Sequence, residues 1–322
     1  MQVIGMKFLA LILSFAMIFS LGGCTERHLE KNDNFSSAEE SQEPSVAAPS
    51  VSEALNDGQK EALEESRSSE EENKEEKEEK EPLSLEIDKA YLETLDDKQI
   101  PWGFGPHFNK DDKRSQSCEA LTEKYGDKNA LFIGSKEKVV YLTFDEGYEN
   151  GFTPAILDTL KEKGVKATFF ITGAYFDSQK ELIRRIIDEG HTLGSHSTKH
   201  IDFAAKSIDE GYEDLSSLHK NVRDEFDYEM RYFRFPAGSF SERSLEMVNQ
   251  MGYTSIFWSF GYKDWDPKEQ MAPDVALEKL TSSLHEGEIL LLHPVGSTNA
   301  EILGDLIDEI KAQGFEIKAF GE

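Results

Sequence analysis

The stretch Val139-Val140-Tyr141-Leu142-Thr143-Phe144-Asp145-Glu146-Gly147-Tyr148 runs apolar for six residues and then turns acidic. A short uncharged run of this kind, ended by two carboxylates and a glycine, reads as a buried strand that empties into a polar loop. The same rhythm returns downstream. Residues 167–171, 192–195, 232–234, 253–258, 288–292 and 315–319 read as strands. Residues 154–163, 180–189, 208–226, 242–251, 274–284 and 300–313 read as the helices between them. Gly164, Gly190, Gly252 and Gly314 stand just past helix ends, where a left-handed cap is wanted. Strands alternating with helices predict an α/β fold with a parallel sheet and right-handed crossovers. About seven such units predict a distorted (β/α) barrel of about seven parallel strands, with its chemistry at the C-terminal strand ends.

The ionisable residues gather at those ends. Asp145 and Glu146 follow the first strand, and His196 and His200 follow the third. Arg234, Pro236, Ala237 and Gly238 follow the fourth, and His293 follows Leu291-Leu292. His196-Ser197-Thr198-Lys199-His200 spaces two imidazoles by four, which on a helical turn puts both on one face. By itself this spacing is a weak metal signal. Beside a carboxylate pair it predicts two histidines and one carboxylate around Zn²⁺ or a similar ion, with positions left open for water and substrate. Asp145 and Glu146 are adjacent, so in an extended segment they point to opposite sides and take different roles. The plainer alternatives are a helix cap or turn for the acidic pair and a core histidine for His293.

Taken together, Thr143–Tyr148, His196–His200, Arg234-Phe235-Pro236-Ala237-Gly238 and Leu291-Leu292-His293 resemble the successive motifs of the polysaccharide deacetylases, the NodB-homology carbohydrate esterases. The resemblance spans roughly residues 139–319. Trp102-Gly103-Phe104, Tyr148-Glu149-Asn150-Gly151, Phe240-Ser241-Glu242-Arg243, Asp264-Trp265 and Asn299-Ala300-Glu301 are similar to the delta-lactam-biosynthetic branch, which acts on muramic acid of peptidoglycan. The resemblance implies Asp145 as general base, His293 as general acid and Arg234 as the partner that keeps Asp145 ionised. It implies His196, His200 and Glu146 as ligands of a divalent metal, zinc or cobalt, with Glu146 where the family usually has Asp. Tyr148, Pro236, Ala237, Gly238 and Trp265 would contact substrate, and a backbone N–H near Ala237 would help to hold the oxyanion. Gly261 lies four residues before Trp265, where many relatives carry an Asp that orients the acid, so that support is expected to be missing. Ala237 stands where the muramic branch often has Arg, which leaves Arg243 or Lys263 to meet a lactyl carboxylate. The alternatives are a general N-acetylglucosamine or chitooligosaccharide deacetylase and an inactive wall-binding lipoprotein. A glycosidase is disfavoured, because it needs carboxylates on both sides of the bond.

The rest of the 322-residue chain bears on where this domain works. Lys7 precedes an uncharged run, residues 8–21, long enough for a signal segment and short for a membrane span. The run ends in Leu21-Gly22-Gly23-Cys24, which resembles the lipobox of bacterial lipoproteins. Residues 1–23 are therefore expected to be a lipoprotein signal peptide. Cys24 is then the lipidated anchor to the extracytoplasmic face of the membrane. Residues 24–82 are expected to form an acidic, disordered tether. Between Thr25 and Pro82 there are 19 acidic and 7 basic side chains, out of a whole-chain charge of −28. That balance argues against nucleic acid as a partner; the expected partners are peptidoglycan strands, as the resemblance implies, and the membrane, through Cys24. Residues 83–138 read as a lead-in packed on the barrel, with Trp102 in an ordered loop, and 139–322 as the deacetylase domain. Of the two cysteines, Cys118 is left without a partner and reads as a plain reduced thiol.

Overall fold

The structure, a computed structural model, describes residues 81–322. The expected signal peptide, Cys24 and the acidic tether to residue 80 lie outside the described residues. No helix among the described residues is long and apolar enough to cross a membrane.

The strand quoted first is the centre of the sheet. Strand β2 (Val139–Glu146) is almost wholly buried, as a parallel strand covered on both faces must be. It pairs with β3 (Thr168–Ile171) along Thr143–Glu146, with β8 (Glu288–Leu292) along Val140–Phe144, and with β9 (Glu316–Lys318) along Val139–Tyr141. Outward from it the order is β1 (Ala130–Leu131), β6 (Thr254–Ile256), β5 (Tyr232–Phe233), β4 (Thr192–Ser195), β3, β2, β8 and β7 (Phe260–Gly261), every pair parallel. β6 and β7 are three residues apart in the chain yet belong to opposite ends of this order. The sheet must therefore curl until its ends nearly meet, and residues 257–259 carry the chain across the gap. Among the described residues the sheet has nine strands, against about seven expected. β1 and β7 are two residues each, too short to leave a periodic signature.

Alternation along β2 sorts the residues. Val140, Leu142 and Phe144 join the large core under the helices, with Ile156, Leu157, Leu160, Phe169 and Leu303. Tyr141 faces the inside of the curl, where Phe170, Ile256, Ile289 and Phe320 cluster and Phe320 stacks on Tyr141 at 4.5 Å. The six expected helices are found at Thr153–Lys163, Lys180–Asp188, Ile208–Phe226, Glu242–Gln250, Pro273–Ser282 and Ser297–Ala312. Helices Lys89–Leu92, Gln116–Tyr125 and Gly173–Ser178 were not anticipated.

The lead-in is more than a cover. It supplies β1, and Ile100 donates to the Phe240 carbonyl at 2.8 Å. Arg114, 3% exposed, donates to the carbonyls of Gly134, Ser135 and Glu286 and so ties the lead-in to the turn before β8. Cys118 is buried and unpaired, and burial pushes its thiol up to about 11.

Candidate active site

At the C-terminal end of β2, Asp145 continues the inward-facing register set by Tyr141 and Thr143. Only 4% exposed, it accepts a hydrogen bond from Arg234 Nη1 at 2.8 Å. Arg234 is wholly buried. Its guanidinium also donates to Thr143 Oγ1 (2.9 Å) and to the carbonyls of Ile256 and Phe257 (3.1 Å each), and it lies 4.2 Å from the Phe170 ring centroid. Burial works against a charged Asp145, but the positive charge of Arg234, with His293 behind it, outweighs it. The carboxyl is held below its usual range.

After β4, His196 is buried and His200 lies exposed at the surface, their ring centroids 5.0 Å apart. His196 Nδ1 lies 2.9 Å from the Arg234 carbonyl, which can only accept, so Nδ1 carries the proton. Nε2 is left as a bare lone pair, 3.5 Å from Asp145 Oδ2. Burial, the largest influence on the ring, lowers its pKa to about 4 and keeps it neutral. An unprotonated Nε2 whose Nδ1–H is fixed by a carbonyl is the form a metal ligand takes.

Glu146 does not join them. Being one residue on, it points to the opposite side of β2, toward the helix layer. There it is wholly buried and its two oxygens each lie 3.3 Å from Thr153 Oγ1. Burial, reinforced by the negative charges of Glu149 and Asp145, raises its pKa well above the usual value. Among the described residues no three His, Cys, Asp or Glu side chains stand together as a metal site. The expectation that Glu146 is the third ligand is therefore corrected. The pair of imidazoles fits a divalent ion, whereas the carboxylate expected to complete the set is held in the core. Strand alternation could have announced this, because it sends Asp145 and Glu146 to different faces.

A second correction concerns His293. Gly261 carries no carboxylate, but the support is supplied by Asp264, which is 0% exposed. Its Oδ1 accepts from His293 Nδ1 (2.8 Å), and its Oδ2 accepts from the His293 backbone N–H (2.8 Å) and from Asn299 Nδ2 (2.7 Å). Asn299 also donates to the His293 carbonyl at 3.0 Å and accepts from the Tyr262 hydroxyl at 2.5 Å. Burial works against the imidazolium. The hydrogen bond and charge of Asp264, with Asp145 behind it, more than offset that, and the pKa of His293 is raised. Nδ1 is committed to Asp264, so Nε2 is the atom free for a reacting group. The carboxylate lies three residues later than the motif spacing led one to look, in the irregular segment after β7.

The remaining expected residues rim this opening. Pro236–Gly238 form a tight 3₁₀ turn in which Ala237 (φ 51°) and Gly238 (φ 64°) take left-handed conformations. Trp102 from the lead-in seals its back. The indole donates to the Gly238 carbonyl at 2.6 Å, and a Cβ on Gly238 would meet the ring at 2.7 Å, which requires glycine there. Tyr148 and Trp265 are 47% and 56% exposed, unusually open for aromatics, and the Trp265 ring stands 6.1 Å from His293. Arg243 is engaged by Asp97 at 3.2 Å and Lys263 by Glu269. Neither expected stand-in for a lactyl-binding cation is a free charge.

Comparison with known proteins places this geometry. The polysaccharide deacetylase family profile matches residues 133–256. The peptidoglycan-N-acetylmuramic acid deacetylase PdaA of Bacillus subtilis is 38% identical over 236 residues, covering 72% of this chain and 89% of that protein. The solved structure of B. subtilis PdaA, described as a family 4 carbohydrate esterase, aligns with a TM-score of 0.66 at 37% identity, over 70% of this chain and 96% of that one. A CE4 family pseudoenzyme from Bacillus anthracis aligns with a TM-score of 0.56 at 29% identity, over 59% and 67%. With the four motifs on one rim of a curled parallel sheet, and relatives of this similarity over most of their length, the chain belongs to the polysaccharide deacetylase family.

Proposed function

We propose that this chain hydrolyses the N-acetyl group of N-acetylmuramic acid on peptide-free glycan strands, as a step towards the muramic δ-lactam of spore cortex. The observation that carries the chemistry is a pair of supported groups at the strand ends, Asp145 bonded to Arg234 and His293 bonded to Asp264; the muramic substrate is supported by the similarity to the B. subtilis N-acetylmuramic acid deacetylase.

The chemistry follows from those two groups. Asp145, ionised at neutral pH, takes a proton from water as its oxygen attacks the acetyl carbonyl. The Ala237 backbone N–H would help to hold the oxyanion that forms, since Pro236 has no N–H and that of Gly238 is donated to the Phe235 carbonyl. His293 Nε2, whose protonated form Asp264 favours, gives its proton to the departing amine. The products are acetate and the free amino sugar. Arg234 fixes one oxygen of Asp145 and leaves the other towards the site. Tyr148 and Trp265 offer apolar faces to the flanking sugar rings. His196 and His200 would hold a divalent metal, zinc or cobalt, which when bound would polarise the acetyl carbonyl.

The test is acetate release from purified glycan strands, stripped of peptide or intact, with mass spectrometry assigning each lost acetyl group to its sugar. Loss from muramic acid on stripped strands is expected. Loss confined to glucosamine would make this a general wall deacetylase. No release from any substrate would make it a wall-binding relative of the pseudoenzyme kind.

Glu146→Gln is expected to leave both metal uptake and Tm unchanged, since the side chain is buried against Thr153 on the face of β2 opposite Asp145. Loss of metal from this variant would return Glu146 to the ligand set. As to location, the chain is proposed to be a lipoprotein on the extracytoplasmic face of the membrane, anchored through Cys24. Cys24→Ser is then expected to move the protein from the membrane fraction to the soluble one. Retention of the variant on membranes after a high-salt wash would rule out the thiol as the anchor.

A further inference from the structure

The loop that joins the two histidines is held in an unfavourable backbone shape. Ser197 has φ 76° and His200 φ 53°, both in the left-handed region that side chains other than glycine seldom enter. Such a shape persists only where surrounding contacts over-determine it. On one side the loop is pressed against Gly173, whose N–H reaches the carbonyls of Ser197 (3.2 Å) and Thr198 (3.1 Å). A Cβ there would meet the Thr198 carbonyl at 2.5 Å. On the other side stands Asp214, from the second turn of helix Ile208–Phe226 and only 5% exposed. Its Oδ1 accepts from Ser197 Oγ (2.6 Å) and from the Thr198 N–H (2.9 Å). Its Oδ2 accepts from the Lys199 N–H (2.9 Å), and its backbone carbonyl accepts from Thr198 Oγ1. Every one of the three residues between the histidines is thus bonded to Asp214.

We propose that Asp214 is the positioning residue for the His196–His200 metal pair: it holds the connecting loop in its left-handed shape and so sets where the second imidazole stands. The inference rests on the reading of these histidines as metal ligands and extends it to a residue on a different element, 14 positions beyond His200 in the sequence. The chemistry calls for a carboxylate. Three donors converge on it, and an ionised carboxylate is a pure acceptor on both oxygens. An Asn of the same shape must present its own N–H₂ to one of them. Without the full set of bonds the loop is free to relax from positive φ, and His200 swings with it.

The measurement is Co²⁺ binding by the full chain, followed by calorimetry and by the visible absorption of the bound ion, beside Tm. Outer supports of a metal ligand typically carry about 10–100-fold in affinity, and Asp214→Asn is expected to weaken Co²⁺ binding by that order. Ser197→Ala, which removes a single bond to the carboxylate, should weaken it less, and it decides the matter should Asp214→Asn fail to fold. A merely structural role would lower Tm and leave the Co²⁺ affinity of the folded protein unchanged; that result in both variants would overturn the proposal. If the wild-type protein takes up no Co²⁺, the metal reading itself falls, and the role of Asp214 falls with it.

Discussion

Replacing Arg234 with Met is expected to cost about 3–5 kcal/mol of stability, as breaking a buried ion pair from one side typically does, and to abolish activity in whatever remains folded. The reason lies in an asymmetry between the partners. The Arg234 guanidinium makes four hydrogen bonds, only one of them to Asp145. Asp145 has no other hydrogen-bond donor among the described residues, since the facing His196 Nε2 is a bare lone pair. Met of similar length would fill the space over Phe170 but leave a buried carboxylate with nothing to stabilise its charge. Burial alone would then raise its pKa, and the carboxyl would take up a proton and cease to be a base. Thermal unfolding and acetate release, measured on the same preparation, check both halves. A variant that keeps its Tm, or deacetylates normally, would show that the guanidinium is dispensable. Lys is not expected to rescue, because its single ammonium cannot reach the Thr143, Ile256 and Phe257 oxygens at once.

Asp145→Asn is the converse case, with a large loss of rate and a smaller loss of stability. General base catalysis is typically worth about 10²–10⁴-fold, and kcat should fall by that order. Arg234 retains Thr143, two carbonyls and the face of Phe170, so its charge is left less exposed to the low-dielectric core than Asp145 would be in the other variant. An unchanged kcat would remove Asp145 from the reaction. A collapse of Tm equal to that of Arg234→Met would contradict the asymmetry. The two variants together separate the base from the group that keeps it charged.

How much of this could be read beforehand depends on the range of the interactions concerned. The strands and helices were legible because burial on a parallel sheet imposes uniform apolar runs and glycine marks the helix ends. Helix Ile208–Phe226 was bounded to the residue, with Ser207 and Glu210 closing a capping box at its start. The polar residues at strand ends were legible because the barrel topology puts all such ends on one rim. Asp145, His196, Arg234 and His293 are accordingly marked by their place after a strand. What the chain could not announce were contacts between residues far apart in sequence and not tied to a period. Asp264 supports His293 across 29 positions, Trp102 backs Gly238 across 136, and Asp214 reaches the histidine loop from the following helix. Strands β1 and β7 escaped for a related cause: each is defined by pairing with its neighbour's backbone, whereas the equally short β5 was marked by the polar motif that follows it. Glu146 lies between these cases. Its sequence neighbours made it look like a ligand, and the pleat of β2 alone turned it into the core. Residue type and local period determined which groups this protein brings to its rim. The curl of the sheet, which fixes side-chain direction and closes long loops over one another, decided which of them meet.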